Sequence, residues 1–334
     1  RMGEKKECEK LYSNIGKTFK KLDKWSYYIL TSNENFEKLF GQRASKKRKI
    51  YNGMIKCNIY QYFGEKPPKK QGENDMFTLV RENEKPLDTV SENGGYTAIF
   101  RTIACIGDSL SSGEFESDAG NGKSNYHDMF EYSWGQFIAR MCGSTVYNLS
   151  RGGMTASEFC QSFADNMGFW NAKYASQAYI VALGVNDLFG QNRTIGSTAD
   201  ICDDDPEKNE TTFAGDYAKI LQKMKKIQPR AKFFLMTMPK ESHDNEERTQ
   251  KKLAHRTLLY DFAKKFENTY VLDLYEYAPV YDEEFKRCMF MRGHLNPMGY
   301  LYTARLVSSY IDYIIRKNPE DFAEVGFIGT SLYR

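Results

Sequence analysis

Hydrophobic and polar positions along the chain fall into two regimes. From about Thr97 onward, short runs of aliphatic, β-branched and aromatic residues alternate with longer stretches in which apolar residues recur every three or four positions. Short continuous apolar runs suit strands buried on both faces, and the three-to-four spacing suits helices that lay one stripe on a sheet. Five strands are predicted: Ile99–Ile106, Thr145–Leu149, Ala178–Leu183, Lys232–Met236 and Tyr270–Leu274. One intervening helix carries Trp134, Phe137, Ile138 and Met141 on its stripe; another carries Phe213, Tyr217, Ile220, Leu221 and Met224 and stops at Pro229. A last helix opens with Asn296 as N-cap and Pro297 at its first position, where a missing N–H costs nothing. This rhythm is that of an α/β protein with a parallel sheet.

The first 95 residues lack that rhythm. Gly16–Lys24 and Asn35–Phe40 read as helical, Ala44–Lys49 as a basic turn, and Gly64–Asp75 as a loop or linker rich in Pro, Gly and Lys; Met76–Val80 and Tyr96–Arg101 read as extended. Residues 1–95 are therefore expected to form a small mixed lobe and residues 96–334 the body. Phe40, Ile50, Tyr51, Ile55, Ile59 and Tyr60 are read as the lobe's face against the body.

Composition narrows the function classes. With 41% apolar and 27% charged residues in 334, the chain can bury a sizeable core, which excludes wholesale disorder. No apolar run approaches the ~18 residues of a membrane span, so no membrane partner is expected. The net charge of +3 is too small to argue for nucleic acid, although residues 1–75 hold 18 Lys and Arg against 9 Asp and Glu, leaving the remainder at −6. Lys46-Lys47-Arg48-Lys49 is read as a solvated turn, and no nucleic-acid partner is expected. Seven irregularly spaced cysteines with no C-x-x-C exclude a disulfide framework and a zinc site. Met2–Glu7 lacks the apolar stretch of a signal peptide and the Ser/Thr of a myristoylation motif, so a cytoplasmic location is expected.

Candidate chemistry gathers at strand ends. Gly107-Asp108-Ser109-Leu110 follows the first strand directly, so a serine there stands at the carboxyl edge of the sheet, where open α/β folds bind ligands. The second strand runs into Asn148–Thr155 with its Gly152-Gly153 pair, the third into Gly184-Val185-Asn186-Asp187, and the last helix is entered through Gly293-His294-Leu295-Asn296. A hydroxyl, a flexible backbone donor, an amide donor and an imidazole are the parts that acyl transfer needs. In this order the four segments resemble the blocks of the SGNH hydrolases, the GDSL esterase/lipase family, over about Arg101–Ile315.

The resemblance implies a three-layer α/β/α sandwich, flavodoxin-like, with a parallel sheet of about five strands, and ester hydrolysis without metal or organic cofactor. It implies Ser109 as nucleophile and His294 as base. The oxyanion donors would be the backbone N–H groups of Ser109 and Gly153 with the Asn186 amide, Gly152 being the other choice of glycine. One departure stands out: the family sets its triad acid three residues before the histidine, and that position is Met291. Asp282, Glu283, Glu284 and Asp273 are the carboxylates that could serve instead, with Asp282 the first choice, and a backbone carbonyl orienting a Ser-His dyad is the alternative. His127 could roof the site or simply pack, while His243 and His255 are read as structural.

The expected function is a serine esterase acting through an acyl-enzyme, with acetyl esters of carbohydrates as first choice. The chain has many aromatic residues to stack on sugars and no long apolar stripe for a lipid surface. A thioesterase or lysophospholipase is the alternative within the same chemistry, and a non-catalytic ligand-binding protein the alternative outside it. The expected partner is a small-molecule or oligosaccharide ester, and a homodimer through the lobe stays open.

Overall fold

The computed structural model of the chain describes residues 5–22, 25–52, 55–64 and 78–332. The chain divides into two compact units, Arg1–Phe77 and Thr78–Arg334.

In the first unit, helices Lys5–Phe19 and Phe36–Phe40 accompany an antiparallel sheet of β1 (Tyr27–Thr31), β2 (Lys46–Asn52) and β3 (Ile55–Tyr62), with β3 in the middle. Phe36, Phe40, Tyr60 and Tyr62 form its core, so Phe40 and Tyr60 serve the lobe's own interior, and Tyr51 is exposed. The basic run Lys46–Lys49 is strand rather than turn: Lys47 pairs with Tyr60 and Lys49 with Asn58. Edge strands accommodate lysine, whose charge also blocks further strand addition, and apolar alternation is then not needed to form the strand. The first helix closes at Phe19, earlier than the Gly16–Lys24 reading, and residues 23–24 lie outside the described residues. So do residues 65–77, which take most of the expected linker and the start of Met76–Val80.

The second unit contains β4 (Thr102–Gly107), β5 (Glu114–Asp118), β6 (Ser124–Asp128), β7 (Thr145–Ser150), β8 (Ala178–Ala182), β9 (Lys232–Met236), β10 (Thr269–Leu272), β11 (Phe290–Met291) and β12 (His294–Leu295). All five strands expected from the apolar runs enter one parallel sheet, in the order β7-β4-β8-β9-β10. Side-chain alternation sends Ala104, Ile106, Tyr179, Val181, Phe233 and Leu235 into one core, beneath helices Phe213–Ile227 and Glu246–Lys265. Ile103, Cys105, Ile180, Phe234 and Leu272 enter the other, beneath helices Trp134–Cys142 and Pro297–Lys317. The result is a three-layer α/β/α sandwich of flavodoxin-like strand order.

Two details limit the sequence reading. Tyr96–Arg101 is not extended but enters a tight turn, Gly95–Ile99, pinned where Thr97 Oγ1 donates to Ser308 O at 2.7 Å. Residues 78–95 belong to the larger unit, with Arg316 bonded to Glu84 and Ser91 N donating to Ser309 Oγ. Strand order reverses between β4 and β8, and the crevice outside their carboxyl ends is where such sheets place a ligand.

Candidate active site

β4 ends at Gly107, and Asp108 caps the short helix Ser109–Ser112 by accepting from Leu110 N at 3.1 Å. The cap fixes Ser109 at the first helical position, half-buried at the sheet edge. Burial pushes the Asp108 carboxyl up to about 6, against the pull of Leu110 N–H and His294.

β7 delivers the second block. Asn148 Oδ1 accepts from Ser150 N, and the Ser150 hydroxyl donates to Cys105 O at 3.0 Å, tying the turn to β4. Gly153 sits at φ 71°, a left-handed conformation that a side chain would strain. β8 delivers the third block: Asn186 Nδ2 donates to Met154 O at 3.1 Å, and buried Asp187 accepts from Ala156 N at 3.0 Å. These two bonds lock the amide-bearing turn to the glycine turn. Beneath them lies His255, fully buried, whose Nε2 donates to Leu183 O at 3.1 Å.

Burial holds the His255 imidazole down at about 4. Its folded value lies below its unfolded one, so stability is lost as pH falls, because the unfolded chain takes up the proton first. Relative to His255→Gln, the wild type is expected to lose about 3 kcal/mol of unfolding free energy between pH 7 and pH 4, read by urea denaturation of both proteins. A pH-independent difference would assign the histidine a purely packing role.

His294 is presented by a hairpin in which β11 and β12 pair Met291 with His294 across the turn Arg292-Gly293. The position where the family sets its acid therefore lies opposite the imidazole on the partner strand and carries a thioether. The carboxylates at the ring come instead from β5, just downstream of Ser109. Glu116 Oε2 lies 3.3 Å from His294 Nδ1 and accepts from Gly293 N at 2.8 Å, while the Ser124 hydroxyl bonds its other oxygen. The Ser124 hydroxyl first, then Gly293 N–H and the imidazole, hold the Glu116 carboxyl down at about 2. Glu114 Oε1 lies 3.2 Å from His294 Nε2, and burial raises that carboxyl above its ordinary range. A Cβ at Gly152 would stand 2.0 Å from Glu114 Oε2, the movable end of that side chain. Tyr126 covers the imidazole edge-on at 5.7 Å.

Asp282 does not reach the imidazole. It is exposed and caps helix Glu283–Met289, accepting from Phe285 N at 2.8 Å. Asp273 is buried on Arg256 and Tyr260, Glu283 pairs with His243, and Glu284 faces Arg287. His127 bonds Ser117 on the exposed face of the β5–β6 hairpin. Ser109, Asn186 and His294 do come together, lining one cavity of about 280 Å³, with Gly153 next to it in the turn that Asn186 holds. The Glu114-Phe115-Glu116 alternation was the available sign of the carboxylates found at the ring, since a strand puts both acids on one face. The Ser109 hydroxyl makes no hydrogen bond among the described residues.

The sequence pattern of the GDSL-like Lipase/Acylhydrolase family matches residues 105–301, well over half of the chain. The chain belongs to that family. Among solved structures, a family two carbohydrate esterase from Clostridium thermocellum in complex with cellohexaose is 13% identical over 80% of this chain and 72% of that one, with a TM-score of 0.45. The GDSL match leaves out the first unit, where residues 1–61 match the RMKL-like methyltransferase domain. Over 75 residues the chain is 52% identical to the "Putative RNA methyltransferase YpsC" of Bacillus subtilis (strain 168), covering 22% of this chain and 20% of that protein. A solved structure described as "a possible methylase from Clostridium difficile 630" is 54% identical over 21% of this chain and 18% of that one, with a TM-score of 0.19. The chain thus spans about a fifth of the length of the curated relative it matches.

Proposed function

We propose that this GDSL-family chain hydrolyses small-acyl esters of carbohydrates, acetyl esters foremost, through an acyl-enzyme on Ser109. The observation that carries the reading is the placement of Ser109 and His294 on one cavity, with the far nitrogen of that imidazole held by the ionised Glu116. Glu116 fixes the proton on Nδ1 and stabilises the imidazolium, leaving Nε2 as base. Ser109 Oγ attacks the carbonyl carbon as its proton passes to Nε2. The oxyanion is received by the N–H groups of Ser109 and Gly153 and by the Asn186 amide. That amide has two hydrogens, and only one is given to Met154 O. Collapse expels the alcohol with the proton from Nε2, and water then cleaves the acyl-enzyme by the same route.

Glu114 must swing off Nε2 for this to begin, because a base whose lone pair faces a carboxylate cannot serve the hydroxyl. Phe189, Tyr281 and Phe290 on the cavity wall support a sugar, which stacks its apolar face on aromatic rings.

The test is a fluorophosphonate probe followed by intact mass, which needs no substrate guess, and then kinetics on acetylated sugars. One adduct on folded wild type is expected; a folded protein that stays unlabelled returns the site to ligand binding without turnover. Asn186→Ala is expected to lower kcat about 10²–10³-fold on acetyl esters with KM little changed, since an oxyanion donor acts chiefly in the transition state. An equal loss carried by KM would make it a substrate contact.

A further inference from the structure

The cavity that begins at Ser109 and His294 ends at Arg248, Lys252 and Glu241, with Val185, Phe189, Met238 and Phe290 among the residues between. Its two ends carry opposite charge. Asp108, Glu114 and Glu116 gather at the serine end. At the other end, three cations meet two carboxylates. Lys252, buried, bonds Asp244 at 2.7 Å, Glu241 at 3.2 Å and Pro239 O at 3.0 Å; Lys286 bonds Glu241 at 2.8 Å. Arg248 lies with Nε 3.1 Å from Asp244 and Nη2 only 3.5 Å from Glu241. Counted within this cluster alone, one positive charge is in excess; around it Lys251 pairs with Glu247 and Lys240 with Glu276, while the exposed Glu246 and Asp282 stand at the starts of the two helices.

Arg248 is the cation placed to use that excess. Its Nη1 has no partner among the described residues, while its Nε bond to Asp244 and its stacking on Phe189, 4.3 Å from the ring centroid, fix the plane of the guanidinium. A fixed guanidinium with a free edge fits a planar carboxylate, and its ordering cost is already met.

We propose that the Arg248 end of this cavity is an anion subsite that takes the carboxylate of an acidic sugar whose ester lies at Ser109. A monoanion balances the single excess charge, whereas a phosphate monoester, near two negative charges, overshoots it. The acidic serine end repels the same group, so the substrate enters in one orientation. The subsite deepens the carbohydrate-ester reading and rests on it for the position of the ester.

Two measurements on the full chain separate the two claims. The first is calorimetric binding to Ser109→Ala of methyl glucuronide, methyl glucoside and glucose 6-phosphate. The glucuronide is expected to bind about tenfold or more tighter than the glucoside, and Arg248→Met in that background to erase the difference. The second is kcat/KM on acetylated methyl glucuronide and acetylated methyl glucoside. Wild type is expected to prefer the acid by a similar factor, Arg248→Met to bring the acid-to-neutral ratio of kcat/KM to about one, and Arg248→Lys to keep part of the preference. Equal binding of acid and neutral sugar, or a preference that survives Arg248→Met, overturns the subsite, and tighter phosphate binding overturns its assignment to a carboxylate. Arg248-dependent binding without turnover of either ester leaves the subsite standing and removes the hydrolase reading of this substrate class.

Discussion

Ser109→Ala is expected to abolish the fluorophosphonate adduct and to lower kcat on acetyl esters by about 10⁶-fold, and His294→Ala to do the same. The reason lies in how the two residues act. The hydroxyl at the β4 end has no nucleophilicity to lend until Nε2 takes its proton, and Nε2 has no proton to take without the hydroxyl. The double variant is therefore expected to cost no more than either single one, because removing one member already disables the other. Independent, additive losses would mean that the two residues do not work as a pair. Retention of the adduct in Ser109→Ala would place the nucleophile elsewhere, with Ser111 and Ser112 the next hydroxyls on the same turn.

Glu116→Gln is expected to lower kcat by up to about 10⁴-fold while the protein folds normally. The amide is nearly isosteric, but it cannot neutralise the imidazolium, and turned with its NH₂ toward Nδ1 it favours the wrong tautomer. Asp282→Asn, by contrast, leaves kcat within about twofold, since asparagine caps a helix as well as aspartate does and the residue is exposed. Parallel measurement of both variants against wild type decides which carboxylate serves His294. Equal, small effects of the two substitutions would favour the Ser-His dyad that needs no acid.

The contrast between those two carboxylates shows what was legible in the sequence. The five strands of the sheet stood out because strands buried on both faces read as plain apolar runs, as in Phe233-Phe234-Leu235-Met236. The last helix stood out because its cap chemistry is local: Asn296 accepts from Gly299 N, and Pro297 follows. Since the sheet order brings the strand ends together, Ser109, Asn186 and His294 could be placed on one edge from their order alone. The carboxylates beside the imidazole could not. Their place depends on a hairpin, β5–β6, whose outer strand Ser124–Asp128 is largely exposed and carries no apolar alternation. Nor does any local pattern say that this hairpin folds onto the Arg292-Gly293 turn. The edge strand β2 escaped for a different reason: it pairs with the strand that follows it directly, but four successive basic residues hide its alternation.

The β5 strand also imposes a parity on the chain. Glu114 and Glu116 face the imidazole while Phe115 between them is buried against Tyr132 and Tyr300 in the core. A strand slipped by one residue turns every side chain to the opposite face. Because Phe115 is buried, that register is strongly held, and a change of length in the turn before Glu114 is absorbed there rather than by the strand. A residue gained or lost within the strand itself has no such escape: it would set phenylalanine beside the histidine and drive a carboxylate into the apolar interior.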